Sequence, residues 1–185
     1  MDVVLANLQT DIITRQESAE LNVISNNVRA SREHDIWKVA VIDRHWRSGR
    51  IGLGFIKGFK TNVDAFADTV NVVENQLVVI GMEEEQMAIA ANKVIEMNGG
   101  AAVVKDGGVI AKYQMDIAGL MSSKSFEDAE NEYEEMNNIL KMHGCPFGKP
   151  LKVLFFVTFV ALPEVRFTHN GMVNVKRRAY ASIFE

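Results

Sequence analysis

The chain has 185 residues, 48% of them hydrophobic and 24% charged, the proportions of an ordinary globular domain rather than a disordered chain. Twenty Lys and Arg against 24 Asp and Glu give a net charge of −4 with no strongly basic stretch, which argues against a dedicated nucleic-acid binder. One cysteine, Cys145, excludes an internal disulfide framework and fits a reducing compartment.

The N-terminus, Met1-Asp2-Val3-Val4, lacks a signal-peptide pattern. The longest apolar run, Val153 to Leu162, is broken by Thr158 and falls well short of the about 20 residues a membrane span needs. These features predict a cytoplasmic, non-membrane protein with a single domain over residues 1–185.

In chain order, Asp2-Val3-Val4-Leu5, Asp11-Ile12-Ile13-Thr14 and Leu21-Asn22-Val23-Ile24 read as short strands, with a loop or loose hairpin through Val28–Ser31. Ile36–Ile42 is nearly continuous in apolar and β-prone residues, the pattern of a strand covered on both faces. In Ile51-Gly52-Leu53-Gly54-Phe55-Ile56 the two glycines share one face of a strand. A bare face of that kind admits a neighbouring backbone or a ligand, and Gly52 and Gly54 are ligand-contact candidates on that basis. The spacing to Gly58 is one residue too long for a dinucleotide fingerprint, and no Walker sequence exists.

A helix begins near Glu83-Glu84-Glu85, whose charges suit the positive end of a helix dipole. Its apolar stripe is Met87, Ala90, Ala91, Val94 and Ile95, and Gly99-Gly100 supplies the stop. A hairpin follows, Ala101–Val104 and Val109–Ala111, turning at Asp106-Gly107. A second helix begins near Ser125 with the stripe Phe126, Ala129, Tyr133, Met136 and Leu140, and ends at Gly144. Val153–Val157, apolar throughout, reads as a central strand. The sum is an α+β fold, a largely antiparallel sheet with at least two packed helices.

The four histidines form no His-x-His or His-Glu-x-x-His pair, no Gly-x-Ser-x-Gly elbow surrounds a serine, and one cysteine cannot build a zinc framework. His143 reads as a helix-terminal surface residue, His169-Asn170-Gly171 as a turn, and His34 as an exposed loop residue. His45 follows a buried strand in Asp43-Arg44-His45-Trp46, a position where sites are often built. From these patterns the chain carries no catalytic residue and no metal site of its own.

Several collinear motifs now point to a family. They are Ile36–His45, Gly52-Leu53-Gly54-Phe55-Ile56-Lys57-Gly58-Phe59, Leu77–Gly81, Gly99-Gly100 through Gly107, Ile117–Ser122 and Phe159–Pro163. Across roughly residues 10 to 175 the chain resembles the C-terminal domain of the prokaryotic-type adenine deaminases, of the amidohydrolase superfamily. The resemblance implies a parent reaction in purine metabolism, hydrolysis of adenine to hypoxanthine and ammonia. In the family a (β/α) barrel that precedes this domain binds the divalent metal and activates water. The chain is thus expected to lack that barrel, its metal ligands and any cofactor of its own.

One stretch departs from the family. Where the family carries Ala-His-Asp-Ser-His, this chain has Asn71-Val72-Val73-Glu74-Asn75. Valine can neither bind metal nor carry a proton, so the substitution reads as an abandoned polar site rather than drift in a loop. Arg44 and His45 match the family pattern and remain ligand-binding candidates with Gly52 and Gly54. The expected partner is an amidohydrolase barrel, as for a split-enzyme subunit, a degenerate relative or a fragment. The alternatives are a stand-alone purine-binding module and an oligomerisation module that forms homo-oligomers.

Overall fold

A computed structural model describes residues 1–46 and 48–184. Its elements in chain order are β1 (Asp2–Leu8), β2 (Thr14–Glu20), β3 (Val23–Ile24), β4 (Asn27–Val28), β5 (Ile36–Ile42), β6 (Ile51–Lys57), β7 (Ala65–Asp68) and β8 (Leu77–Gly81). There follow α1 (Glu84–Glu96), β9 (Gly100–Lys105), β10 (Gly108–Gln114), α2 (Phe126–Met142), α3 (Leu151–Val157), β11 (Val165–Thr168), β12 (Gly171–Asn174) and β13 (Ala179–Tyr180).

Eight strands form one sheet in the order β10-β9-β7-β8-β5-β6-β1-β2. Every neighbouring pair is antiparallel except β1 and β6, which run parallel. The fold is α+β. β5 lies near the middle, with Trp37, Val39 and Val41 facing one side and Ile36, Ala40 and Ile42 the other, as its unbroken apolar run predicts.

The two long helices pack on opposite faces of this sheet. α1 sets Met87, Ala90, Ala91 and Val94 against Ala65, Ala67, Val79, Ala102 and Val104. α2 sets Met136 and Leu140 into the larger core on the other face, with Trp37, Phe59, Phe66 and Val103. α3 and the three-stranded sheet β11-β12-β13 complete that second layer. Ser125 caps α2, its side chain accepting from the Asp128 N–H at 3.1 Å. The β9–β10 hairpin turns at Asp106 and Gly107, both at positive φ (50° and 78°), the geometry a two-residue turn demands. Among the described residues no helix is long and apolar enough to cross a membrane.

Several sequence expectations need correction. Val153–Val157 is helical: Leu151, Val153, Leu154 and Val157 are buried at helical spacing, while Phe155 is partly exposed. Pro150 opens this helix, and Asn137 Oδ1 accepts the Leu151 N–H at 3.1 Å, so a buried side chain of α2 starts it. The central strand places are filled by β5 and β8, whose two neighbours each leave no slot for another strand. Asp11–Thr14 is mostly a turn held by Thr10 Oγ1, which accepts from the N–H groups of Ile12 and Ile13. The strand beyond it, β2, is polar because it is a sheet edge. At the stripe ends Ile95 is 61% and Phe126 75% exposed, since each lies past the edge of its helix's contact. Helix α1 leaves its axis through Asn98 at φ 62°, one residue before the expected glycines.

Candidate functional site

The candidate residues gather where β5 ends and β8 begins. Asp43 stabilises the exit from β5, accepting from the N–H groups of His45, Trp46 and Ser48 and from the Ser48 hydroxyl. The Ser48 bond, then the backbone donors, hold its carboxyl well below the usual carboxylate range, against the opposing effect of burial. This local cap fixes the direction in which Arg44 and His45 leave the sheet.

Both converge on the altered loop. Arg44 Nε donates to the Asn75 carbonyl at 2.5 Å, Arg44 Nη2 to the Ala118 carbonyl at 2.9 Å, and His45 Nε2 lies 2.9 Å from the same Asn75 carbonyl. The Arg44 N–H donates to Gln76 Oε1 at 2.9 Å. Gly119, at φ 72°, keeps the third loop clear of the guanidinium, whose Nη1 would lie 2.8 Å from a Cβ there. Partial burial lowers the Arg44 pKa. Arg44 thus ties the loops after β5, before β8 and after β10 through backbone carbonyls.

The loop itself is anchored from below. Asn71 is buried, donates to the Gln76 carbonyl at 2.7 Å and accepts from the Thr158 hydroxyl at 3.1 Å. The Val72 N–H donates to the Phe155 carbonyl at 2.9 Å. Val73 sits at φ 70° in a three-residue turn closed by the Glu74 N–H on the Val72 carbonyl, and its side chain is exposed. That conformation is strained for a β-branched residue.

Glu74 points the other way. Its Oε2 is 3.2 Å from His169 Nδ1, and Asn170 Nδ2 is 3.2 Å from His169 Nε2. Arg50 Nη1 donates to Asn170 Oδ1 at 3.0 Å. His169, Asn170 and Gln76 are members of this cluster that local sequence pattern does not reveal. Gly52 and Gly54 explain how they arrive. A Cβ on Gly52 would lie 1.9 Å from the Thr168 carbonyl oxygen, and one on Gly54 would lie 2.4 Å from the Phe167 ring. The glycine face is where the β11–β12 hairpin seats, and that seating carries the His169 turn to Glu74.

Among the described residues, the one group of three or more His, Cys, Asp or Glu side chains arranged to share an ion is Glu83, Glu84 and Glu85, all exposed. Glu83 already pairs with Arg29 at 2.7 Å, and Glu84 is bonded by Lys38 and Asn27. His45, Glu74 and His169 do not meet around one point. This donor set does not fit a catalytic metal.

Comparison with known proteins decides the family. The family model of the adenine deaminase C-terminal domain matches residues 11–179. The chain belongs to that family. An adenine deaminase of Cenarchaeum symbiosum (strain A) is 41% identical over 176 residues, 95% of this chain and 29% of the relative. One of Clostridium botulinum (strain Loch Maree / Type A3) is 36% identical over 171 residues, 92% of this chain and 28% of the relative. One of Brucella abortus (strain 2308) is 35% identical over 166 residues, 90% of this chain and 29% of the relative. This adenine deaminase C-terminal domain therefore spans less than a third of the curated relatives it matches.

Proposed function

We propose that this domain is a non-catalytic part of an adenine-deaminase assembly. A metal-loaded amidohydrolase barrel hydrolyses adenine to hypoxanthine and ammonia, and the domain supports it in the cytoplasm. The observation that carries this reading is how the polar cluster is used. Arg44 and His45 are bonded to loop carbonyls, Glu74 faces His169, and Asp43 is bound by its own loop. The groups that acid–base or metal chemistry would need are spent holding loops together. In the adenine deaminases it matches, the corresponding segment is 28 to 29% of the length, which supports a partner domain beside it.

The test is ammonia release from adenine by the purified chain after loading with iron, manganese or zinc. None above buffer is expected. Restoration of activity is expected when the chain is added to an adenine deaminase from which the matching segment has been deleted. Ammonia release that copurifies with the chain alone would overturn the proposal. Ile51 and Leu53, 52% and 54% exposed on a sheet face, favour a second reading as an assembly domain that pairs with its own copies. Sedimentation of the chain alone separates the two: a stable dimer that leaves the truncated enzyme inactive supports the second.

A further inference from the structure

The eight-stranded sheet ends on β10 at one side and on β2 at the other. The β2 edge is covered: the Gln16 N–H donates to Glu164 Oε2 at 2.9 Å, and Thr14 Oγ1 donates to the Val165 carbonyl at 2.8 Å. β10 is paired with β9 alone. Among the described residues, no backbone group of residues 108–113 has a hydrogen bond outside that ladder. In an antiparallel pair alternate residues turn their N–H and C=O away from the partner strand, so β10 offers a row of free donors and acceptors. Val109 and Ile110 beside them are 37% and 39% exposed.

A groove of about 510 Å³ follows this edge, between α1 on one face of the sheet and α2 on the other. Lys112 is in register with Ala102, on the face that α1 covers, and Lys93 of α1 stands on the same side. Ala111 packs into the core beneath α2, whose Glu132 and Glu135 form the opposite wall. Some of these charges are already matched. Lys93 pairs with Glu96 at 2.8 Å, Lys112 acts on the same Glu96 carboxylate from farther off, and Lys124 pairs with Glu132. That leaves one positive charge unmatched on the α1 wall and one negative charge on the α2 wall. Lys112 and Glu135 are both exposed with no ion pair among the described residues, and Glu132 Oε2 is buried without a hydrogen-bond partner.

Successive side chains of a strand point to opposite faces. A strand laid on β10 therefore sends one alternate set toward Lys112 and the other toward Glu132 and Glu135. A second copy of this chain does not fit. Antiparallel self-pairing about a two-fold axis sets like faces side by side, so each wall would meet its own charge. We propose that the β10 edge takes an extended segment of a partner protein as a ninth strand, with acidic side chains on the α1 side and basic side chains on the α2 side. The proposal rests on this edge and does not depend on the assembly role above.

The experiment titrates the full chain with an eight-residue peptide alternating lysine and glutamate, followed by amide chemical shifts and hydrogen exchange. An uncharged peptide alternating threonine and serine is the comparison probe. The expected result is saturable shifts in residues 109–113 and slower exchange at the β10 amides that exchange freely without peptide. The uncharged peptide should bind at least about threefold more weakly. Lys112→Glu and Glu135→Lys should each weaken the charged peptide by about threefold. Their combination reverses both walls, and a peptide slipped by one residue matches it, so the double variant should bind more tightly than either single one. Both positions are exposed, and the comparison of peptides needs no variant. No saturation at millimolar concentration, equal affinity for the uncharged peptide, or a double variant no tighter than the single ones would overturn the proposal. So would a dimer of the chain in which the β10 amides are protected, since the occupant would then be a second copy.

Discussion

The two faces of the eight-stranded sheet are covered by different means. On one, Ala40, Ala65, Ala67 and Ala102 meet Ala90 and Ala91, and short side chains let the single helix α1 lie close to the strands. Further along that face Ile51 and Leu53 stay half exposed. The other carries Trp37, Phe59 and Phe66, whose rings meet edge to face at 5.0 to 6.1 Å, and needs α2, α3 and a second sheet to cover it. A cavity of about 340 Å³ beside Asp68 and the hairpin that delivers His169 both belong to this thicker layer. Small residues give a tight two-layer seam with little room for a site. Bulky residues force an irregular layer in which cavities and buried polar groups can form.

The largest effects should come from the thick face. Phe66→Ala is expected to cost about 3–5 kcal/mol, and Met136→Ala or Leu140→Ala about 2–5 kcal/mol, because all three are fully buried. On the thin face the damaging change is enlargement, and Ala67→Leu should cost about 1–3 kcal/mol by overpacking. Urea unfolding checks both. If Ala67→Leu is harmless while Met136→Ala and Leu140→Ala fall within about 0.5 kcal/mol of wild type, the contrast between the faces is wrong.

Next comes the seam between the sheet and the hairpin. Gly52→Ala drives a methyl group to 1.9 Å from the Thr168 carbonyl oxygen, so the hairpin must lift, at about 1–3 kcal/mol. Gly148→Ala meets nothing within 4 Å and should stay within about 0.5 kcal/mol. Hydrogen exchange should show faster exchange in β11 and β12 in the Gly52 variant alone. Equal exchange in the two variants would mean that the glycine face does not seat the hairpin.

This seam also marks where the sequence stops being legible. Elements set by local chemistry can be read directly: the Ser125 cap, the Asp106-Gly107 turn and the unbroken apolar run of β5. Val153–Val157 cannot, since an apolar run this short fits a buried strand as well as a buried helix. Pro150 and a bond from Asn137 decide it. In the candidate site, the pattern places Arg44 and His45 at a strand end, and the family resemblance marks residues 71–75. Their meeting, and the arrival of His169 from 95 residues beyond Glu74, depend on sheet register and hairpin seating. No local signal encodes either.

The Asp68 carboxyl sharpens the comparison through pH. Its folded pKa of about 8 lies above its ordinary value of 3.8, mainly through burial. Between those values the folded chain keeps a proton that the unfolded chain has released, so this group's stabilisation falls as pH rises and stops changing above about 8. The stability difference between wild type and Asp68→Asn should therefore shift toward the variant by up to about 1.4 kcal/mol per pH unit in that window. Urea midpoints at pH 5, 6 and 7 measure it. A flat difference would mean that the carboxyl is hydrated and the cavity open to bulk water.

The smallest effect belongs to Glu74, the one strong metal-ligand side chain in the altered loop. Its contact is His169, and both side chains keep some exposure, 21% and 18%. Pairs near the surface contribute about 0–1 kcal/mol, and glutamine preserves both the shape and an acceptor for the imidazole. Hard cations need several oxygen ligands together, and Asn71, Val72, Val73 and Asn75 add no carboxylate. Glu74→Gln should thus leave stability within about 0.5 kcal/mol and metal content unchanged. Elemental analysis and urea unfolding of the two proteins decide it. A stoichiometric metal present in the wild type and absent from the variant would show that this loop does chemistry, and that its polar groups are not consumed in joining β5, β8 and the hairpin.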